Sequence, residues 1–194
     1  MIPNFRRALV ALAITLAVGS ACAQSPSSKM TLHFDPAGTK INWTLKSVLH
    51  TVHGTFQLKG GFITLNEETG AAEGEIIVET ASGESDNGSR DRRMRSDVLE
   101  STKYPEAIFH PQKVTSVVHA GQTQTVTVEG TFTLHGVDHP LTLQVKTALN
   151  GDTLTAETSF EVPYVEWGMK DPSTLMLRVA KQVQVNIEAR ATLK

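Results

Sequence analysis

Alternation of side-chain type with a period of two is the feature that most restricts the fold of this chain. From Val126 to Leu134, apolar residues and one glycine occupy every second position, with threonine or glutamate between them. Successive side chains of a β-strand point to opposite faces, so one face of this segment is apolar and the other polar. The same alternation recurs at Ile41, Trp43, Leu45, Phe56, Leu58, Ile63, Leu65, Ile76, Val78, Leu141, Leu143, Val145, Leu154, Ala156, Thr158, Phe160, Val162, Leu175, Leu177, Val179, Val183, Val185, Ile187 and Ala189. The pattern predicts an all-β chain of about eight antiparallel strands.

The connections between these strands favour a meander, and the short link Gly136–Pro140 predicts a hairpin. Alternation alone fits either a closed barrel or a sandwich. The last strand is long and carries no inward charge or proline, the usual protections of an exposed edge, so we expect it to pair with an early strand.

The interior of an eight-stranded barrel is either filled by side chains or holds one small ligand. An unfilled apolar channel, rather than a packed core, is favoured by four small residues in the inward rows, Gly130, Ala156, Ala189 and Ala191.

One long segment, residues 85–109, interrupts the strand patterns and contains a helical motif. Turn-forming residues at its start predict a positive φ at Asn87-Gly88, and Ser89 is the predicted N-cap of a short helix. Met94, Val98 and Leu99 share one face of that helix, whereas the arginines at 90, 92, 93 and 95 favour water. We therefore expect a helical cap at one end of the barrel.

The first 23 residues are typical of a secretory signal peptide. Arg6 and Arg7 precede an apolar run that is too short to span a bilayer, and small residues end the segment at Ala23. We expect cleavage after Ala23, a flexible tether at 24–30 and one barrel domain at 31–194. Lipidation of Cys22, the only cysteine, is the competing interpretation, although Gly19 lies where such signals usually carry a bulky apolar residue. The predicted location is periplasmic or secreted.

Composition and motifs argue against several classes of function. The chain has 18 Lys and Arg against 20 Asp and Glu, which does not favour nucleic acid as a partner. The sequence has no Gly-x-Ser-x-Gly elbow, no Gly-rich phosphate loop followed by Lys and Ser or Thr, and no cysteine in the predicted mature chain, so we expect no enzyme activity and no cofactor. His50 and His53 would lie on opposite faces of a strand, and only Asp138 lies near His135 and His139, so we expect no metal site.

Three groups of motifs resemble the YceI-like family of secreted lipid- or polyisoprenoid-binding proteins. They are the central Arg90-Asp91, Met94, Leu99 and Tyr104-Pro105-x-x-x-Phe109; the earlier His53-Gly54-x-Phe56; and the later Gly130-x-Phe132-x-Leu134-His135-Gly136. The resemblance covers about Thr31 to Lys194 and implies an extended lipocalin-like barrel. Many relatives carry an Arg shortly before a late Phe-Gly pair, whereas residues 162–168 of this chain have none. The role of that Arg is therefore not carried over.

Together these features predict a carrier that encloses one long apolar lipid, such as a polyisoprenoid or an isoprenoid quinone. The sequence leaves both transient membrane contact and a homodimer open. The alternatives are a solid barrel that binds a partner on its outer surface and a metal-dependent enzyme using His135 and His139. Arg90 has two predicted roles: to hold a lipid head group or to tie the cap to the barrel rim. Trp167 is predicted to line or plug the channel, and the predicted ligand-binding residues are Trp43, Phe56, Ile76, Val78, Arg90, Met94, Leu99, Phe109, Phe132, Leu143, Phe160 and Trp167.

Overall fold

The computed structural model describes residues 29–115, 121–175 and 177–194, in which antiparallel strands dominate. One short helix, α1 (Gly88–Arg93), continues into a π-helical turn at Met94–Val98. The strands are β1 (Lys29–Phe34), β2 (Lys40–Lys46), β3 (Thr51–Asn66), β4 (Ala72–Glu84), β5 (Glu106–Val114), β6 (Thr123–Leu134), β7 (Val137–Asn150), β8 (Thr153–Val162) and β9 (Val183–Leu193). Among the described residues, no helix is long and apolar enough to cross a membrane.

Nine strands form a closed barrel with eight strand positions, because β1 and β2 share one position. Both strands pair with β3 and with β9, but at different heights along the barrel. Ile41 of β2 lies opposite Phe56 and Ile187, whereas Leu32 of β1 lies opposite Ile63 and Leu193. The predicted all-β, antiparallel, eight-stranded barrel with a short helical segment is confirmed. β1 begins at Lys29, so its first two residues fall within the range predicted to be a tether.

A bulge in β3 explains why one strand carries two alternation patterns of opposite parity. Phe56 and Leu58 point inward at even positions, and Ile63 and Leu65 point inward at odd positions. The register with β4 shifts between Leu58 and Gly60, where the backbone is irregular. A bulge inserts one extra residue and so switches which parity faces the interior.

The predicted hairpin between β6 and β7 is present, with a tighter turn than the sequence suggested. Leu134 pairs directly with Val137, and both residues of the two-residue turn have positive φ, 55° at His135 and 75° at Gly136. Such turns match the natural twist of antiparallel strands. A Cβ at Gly136 would lie 2.6 Å from the Tyr104 ring, so glycine also permits the close approach of that ring.

Leu175, Leu177 and Val179 do not form the predicted strand. Leu175 is 95% exposed, and only one isolated bridge, from Val179 to Ser47, connects this region to a strand end. The backbone instead folds into a turn in which the N–H of Thr174 donates to the carbonyl of Leu177 at 2.8 Å. Because β2 and β9 already pair and close the barrel, no free edge remains for another strand in the ring.

The cap begins two residues earlier than predicted. Asn87, not Ser89, is the N-cap, and its side chain accepts a hydrogen bond from the backbone N–H of Arg90 at 3.0 Å. The positive φ lies at Asp86 (58°), whereas Asn87 is extended. Met94 turns inward over Gly83, where a Cβ would lie 2.5 Å from the Met94 methyl group. The apolar side of the cap therefore faces the barrel end, as expected.

Candidate functional site

The barrel interior contains two adjoining cavities with almost entirely apolar walls. The inner chamber has a volume of about 160 Å³ and lies towards β1 and the β7–β8 turn. The outer chamber, of about 460 Å³, lies beneath the helical cap. Six residues line both chambers, which places the chambers end to end: Ile41, Val78, Ala107, Phe132, Phe160 and Ile187.

The size and lining of these chambers separate them from ordinary packing defects. A water molecule needs about 10–15 Å³ and several polar partners, whereas an apolar cavity of about 150 Å³ stays dry and binds small apolar molecules. The outer chamber lies within the range of about 300–1,000 Å³ that small-molecule sites occupy. A barrel with a filled interior would not leave this space, so the two volumes favour a hollow interior over a packed core.

Eleven of the twelve predicted ligand-binding residues line these chambers. Phe132, Leu143 and Phe160 share the inward face, as predicted, and the rings of Phe132 and Phe160 meet edge to face at 6.2 Å. Val78, Phe132 and Phe160 line both chambers. The inner chamber alone is lined by Ile76, Phe109 and Leu143, and the outer chamber alone by Trp43, Phe56, Arg90, Met94 and Leu99.

Trp167 lies outside both chambers. Its ring stacks on His139 at 3.8 Å between centroids with planes 7° apart, and it meets Phe132 at 6.1 Å. Backbone hydrogen bonds within the loop, such as Trp167 N–H to the Pro163 carbonyl at 3.0 Å, hold the indole in this position. Trp167 therefore supports the wall from behind Phe132 and does not line the cavity.

The inward small residues contribute unequally to the empty space. Ala156 and Ala189 line the inner chamber. Gly130 does not, because the His110 carbonyl oxygen and the Phe109 ring both occupy the space beside it, and a Cβ there would lie 2.7 Å from that ring. Ala191 is only 1% exposed and belongs to the packed cluster around the chamber.

Arginine supplies the only charge on the chamber walls within the described residues. Arg90 and Arg93 line the outer chamber, and no aspartate or glutamate of the described chain lines either chamber. Polar ligand groups that accept hydrogen bonds would therefore be favoured at the cap end.

Ser85 holds both members of the Arg90-Asp91 pair. The Arg90 Nε donates to Ser85 Oγ at 2.7 Å, and Arg90 Nη2 donates to the Ser85 carbonyl. The hydroxyl of Ser85 in turn donates to the carboxylate of Asp91, which is only 6% exposed. The predicted tie between cap and barrel is therefore present and passes through Ser85 at the end of β4. The same contacts fix the guanidinium at the wall of the outer chamber.

Sequence reasoning missed the contribution of the loop between β8 and β9. Five of its residues line the outer chamber: Tyr164, Met169, Pro172, Leu177 and Val179. The Tyr164 hydroxyl donates to the carbonyl of Ala180 at 2.8 Å and so joins the two ends of the loop. Burial, with a smaller effect from the charge of Asp171, raises the pKa of Tyr164 to about 12. The prolines at 163 and 172 were the available signal that this segment is a folded loop rather than a strand.

His135 and His139 lie in different environments: His135 contacts a carboxylate, whereas the buried Nε2 of His139 has no hydrogen-bond partner among the described residues. Nε2 of His135 lies 2.6 Å from a carboxylate oxygen of Glu100. Burial lowers the pKa of His139, an effect that the charge of Asp138 partly offsets. Within the described ranges, no three His, Cys, Asp or Glu residues are grouped to hold a metal ion. The structure brings His50, but not His53, to the wall of the outer chamber.

Fold and cavity together define an eight-stranded antiparallel barrel built around an elongated apolar space. The chain belongs to the YceI-like family, since the model of the YceI-like domain matches residues 32–191. Protein YceI of Shigella flexneri is 37% identical over 103 residues, which are 52% of this chain and 51% of that protein. The chain thus spans about half the length of the first of the curated relatives that it matches. A UPF0312 protein of Pseudomonas putida (strain W619) is 30% identical over 150 residues, 76% of this chain and 74% of that protein.

Solved structures share the same fold at lower sequence identity. BcnA of Burkholderia cenocepacia matches with a TM-score of 0.68 and 22% identity, over 82% of this chain and 99% of that one. A polyisoprenoid binding domain from Saccharophagus degradans matches with a TM-score of 0.63 and 15% identity, over 84% of this chain and 98% of that one. At these identities the likeness establishes the fold alone.

Proposed function

We propose that this protein binds one long apolar lipid, a polyisoprenoid or an isoprenoid quinone, inside the barrel. The observation that carries the proposal is the pair of adjoining apolar chambers. Two further facts support it: the chain is a member of the YceI-like family, and a protein of the same fold is a polyisoprenoid binding domain. The proposal assigns binding of the lipid, for sequestration or carriage, with no catalytic step.

The energy of binding would come from burial. Each methylene group removed from water contributes about 0.8 kcal/mol, so several isoprene units outweigh the cost of ordering a flexible chain. Apolar walls make contacts without directional preference. Chain length and cross-section, rather than specific hydrogen bonds, would therefore decide which tail fits.

The polar end of the lipid would lie under the cap. The inner chamber is lined only by apolar residues and threonines, whereas the outer chamber carries Arg90 and Arg93. Ser85 holds the Arg90 guanidinium through Nε and Nη2. A prearranged guanidinium suits an acceptor such as a quinone carbonyl or a phosphate.

A test of the bound lipid uses native mass spectrometry of protein purified from its own host. We expect a bound mass that organic solvent extracts and that proves to be a polyisoprenoid or a prenylated quinone. Protein that is empty on purification, and that stays empty after incubation with polyprenol or ubiquinone in detergent, would overturn the proposal.

A matched pair of variants tests whether Arg90 binds the polar head group of the lipid. Arg90→Met should weaken binding of ubiquinone but not of a polyprenyl hydrocarbon that lacks the ring. Arg92→Met changes an exposed arginine that lines neither chamber and should affect neither ligand. Equal losses for both ligands in Arg90→Met would assign Arg90 to cap structure alone.

The proposed location is the periplasm or the extracellular medium, after cleavage behind Ala23. Residues 1–23 lie outside the described part of the chain, so this proposal rests on the sequence pattern. Amino-terminal sequencing of the mature protein should begin at Gln24. A diacylated Cys22 at that terminus would replace the soluble carrier with a membrane-anchored one.

A further inference from the structure

Two adjacent turns at the cap end of the barrel carry exposed aliphatic side chains at their tips. The first turn joins β2 to β3 and is closed by the Ser47 N–H donating to the carbonyl of His50 at 3.2 Å. Its two central residues, Val48 and Leu49, are 68% and 74% exposed. Their side chains project from a closed turn rather than pack beneath it.

The second turn lies in the loop between β8 and β9. It is closed from Thr174 to Leu177, and Leu175 at its tip is 95% exposed. Backbone hydrogen bonds join the two turns: Val48 N–H donates to the Arg178 carbonyl at 3.1 Å, and Ala180 N–H donates to the Lys46 carbonyl at 2.8 Å. The two tips therefore belong to one surface, which we call the two-turn rim (residues 46–50, 174–175 and 177–178).

Exposed aliphatic residues are concentrated at this rim. Five large hydrophobic side chains are exposed in the described part of the chain, and three of them are Val48, Leu49 and Leu175. The other two, Phe62 and Val137, lie on other strands. A clustered apolar surface marks an interaction site more often than scattered single residues do.

The same two turns border the outer chamber. Ser47 and His50 of the first turn and Leu177 of the second line its wall. His50 is both exposed to solvent and part of that wall, so the rim lies directly beside the chamber. An apolar surface beside an apolar cavity would face the phase from which an apolar ligand enters.

Charges beside the rim are mostly basic. Lys46, Arg178 and Lys181 are exposed, and residues 44–53 and 172–182 contain no aspartate or glutamate. Asp171, whose charge interacts with that of Lys181, precedes the second range. Arg93 adds a further exposed cation on the wall of the same chamber. Apolar side chains that enter a lipid interface beside cations that attract anionic head groups are the usual combination in reversible membrane binding.

We propose that the two-turn rim docks on the surface of an anionic lipid bilayer and places the outer chamber over the head groups. Lipid would then pass between bilayer and barrel without crossing bulk water, so this inference rests on the proposed function. A stable protein interface buries about 800 Å² on each partner, whereas three aliphatic side chains at turn tips form a much smaller apolar surface. A cluster of this size suits insertion into a lipid surface better than a stable contact with a second protein.

Vesicle co-sedimentation tests the docking surface directly. The protein would carry Cys22→Ser in every sample, which removes the competing acylation site. Vesicles of phosphatidylcholine with phosphatidylglycerol are compared with vesicles of phosphatidylcholine alone, at low and high salt. We expect binding to the anionic vesicles that salt weakens, because mobile ions screen exposed charges.

A matched pair of double variants locates the contact. Leu49→Ser with Leu175→Ser should lower the partition coefficient about tenfold or more, because two leucines lose their apolar transfer energy. Phe62→Ser with Val137→Ser removes two exposed apolar side chains elsewhere and should leave partitioning unchanged. Equal partitioning of the wild type and the rim variant would overturn the proposal. A rim-dependent dimer that does not bind vesicles would also overturn it, since the surface would then serve a second copy.

Lipid loading from detergent, measured by native mass spectrometry on the same variants, separates this inference from the proposed function. The rim variant should load lipid as well as the wild type does, because its changes lie outside the chambers. A wild type that loads lipid but ignores vesicles would overturn the docking surface and leave the carrier function standing. A wild type that docks through the rim but never loads lipid would support docking and overturn the carrier.

Discussion

Replacing Ala156 with a larger residue that fills the inner chamber is the sharpest test of whether that chamber receives a ligand. Ala156 lies on the inward face of β8 and lines a chamber of about 160 Å³. Each Å³ of empty cavity lowers the free energy of unfolding by about 24 cal/mol. An empty chamber of about 160 Å³ therefore makes the protein about 4 kcal/mol less stable than the same barrel with a filled interior. An indole ring introduced by Ala156→Trp would occupy that space.

We expect the ligand-free Ala156→Trp protein to unfold with a free energy within about 1 kcal/mol of the wild type, because new contacts offset any local strain. Lipid loading should fall sharply, since the ring occupies ligand space. The matched control is Ala148→Trp on β7, where Thr147 points inward and Ala148 therefore points outward. The control should load lipid normally.

The measurements are guanidinium denaturation of delipidated protein and native mass spectrometry after incubation with polyprenol. In a solid core the same substitution would overpack the interior and cost about 1–3 kcal/mol. A loss of stability on that scale, together with unchanged lipid loading, would refute the reasoning.

Three further changes test the supports of the site. Gly54→Ala would place a Cβ 2.1 Å from a backbone carbonyl oxygen and should lower the free energy of unfolding by about 1–3 kcal/mol or more. The control Gly88→Ala, with no atom within 4 Å of the new Cβ, should be nearly neutral in the same denaturation assay. Ser85→Ala removes the hydroxyl that donates to the buried Asp91 carboxylate, and we expect a loss of about 1–3 kcal/mol by denaturation; an unchanged midpoint would show that the tie is dispensable. Because the pKa of Tyr164 is raised to about 12, its contribution is complete below about pH 10, the unfolded value, and is lost as pH rises towards 12. Tyr164→Phe should therefore flatten the decline of stability between those pH values, and parallel wild-type and variant curves would contradict this assignment.

The alternation of apolar and polar side chains predicted most of what could be known of this fold before the structure. It identified the inward rows because a strand with one buried face must alternate, and a slip of one residue would expose the whole row. Phe132, Leu143 and Phe160 could be assigned to one interior for this reason, and the three do share it. The same logic failed at Leu175, since alternating residues do not show whether a partner strand is available.

Local propensity also placed the start of the cap helix wrongly. Ser89 was predicted to be the N-cap, but asparagine caps a helix equally well, and Asn87 holds this position because of where β4 delivers the chain. Trp167 had no alternation pattern to place it. Its position follows from the fold of its own loop and from contact with His139, which lies far away in sequence.

By itself, the sequence determined most of the strand content, most of the inward faces and the apolar character of the interior, because these depend on residues two positions apart. Only the tertiary structure decided that β1 and β2 share one barrel position, that Phe109 fills the space beside Gly130, and that two distant turns meet at one rim. Those features depend on contacts between segments far apart in the chain. Whether an interior is filled or hollow is likewise set by how all eight strand positions close, because cavity volume is a property of the whole ring and of no single strand.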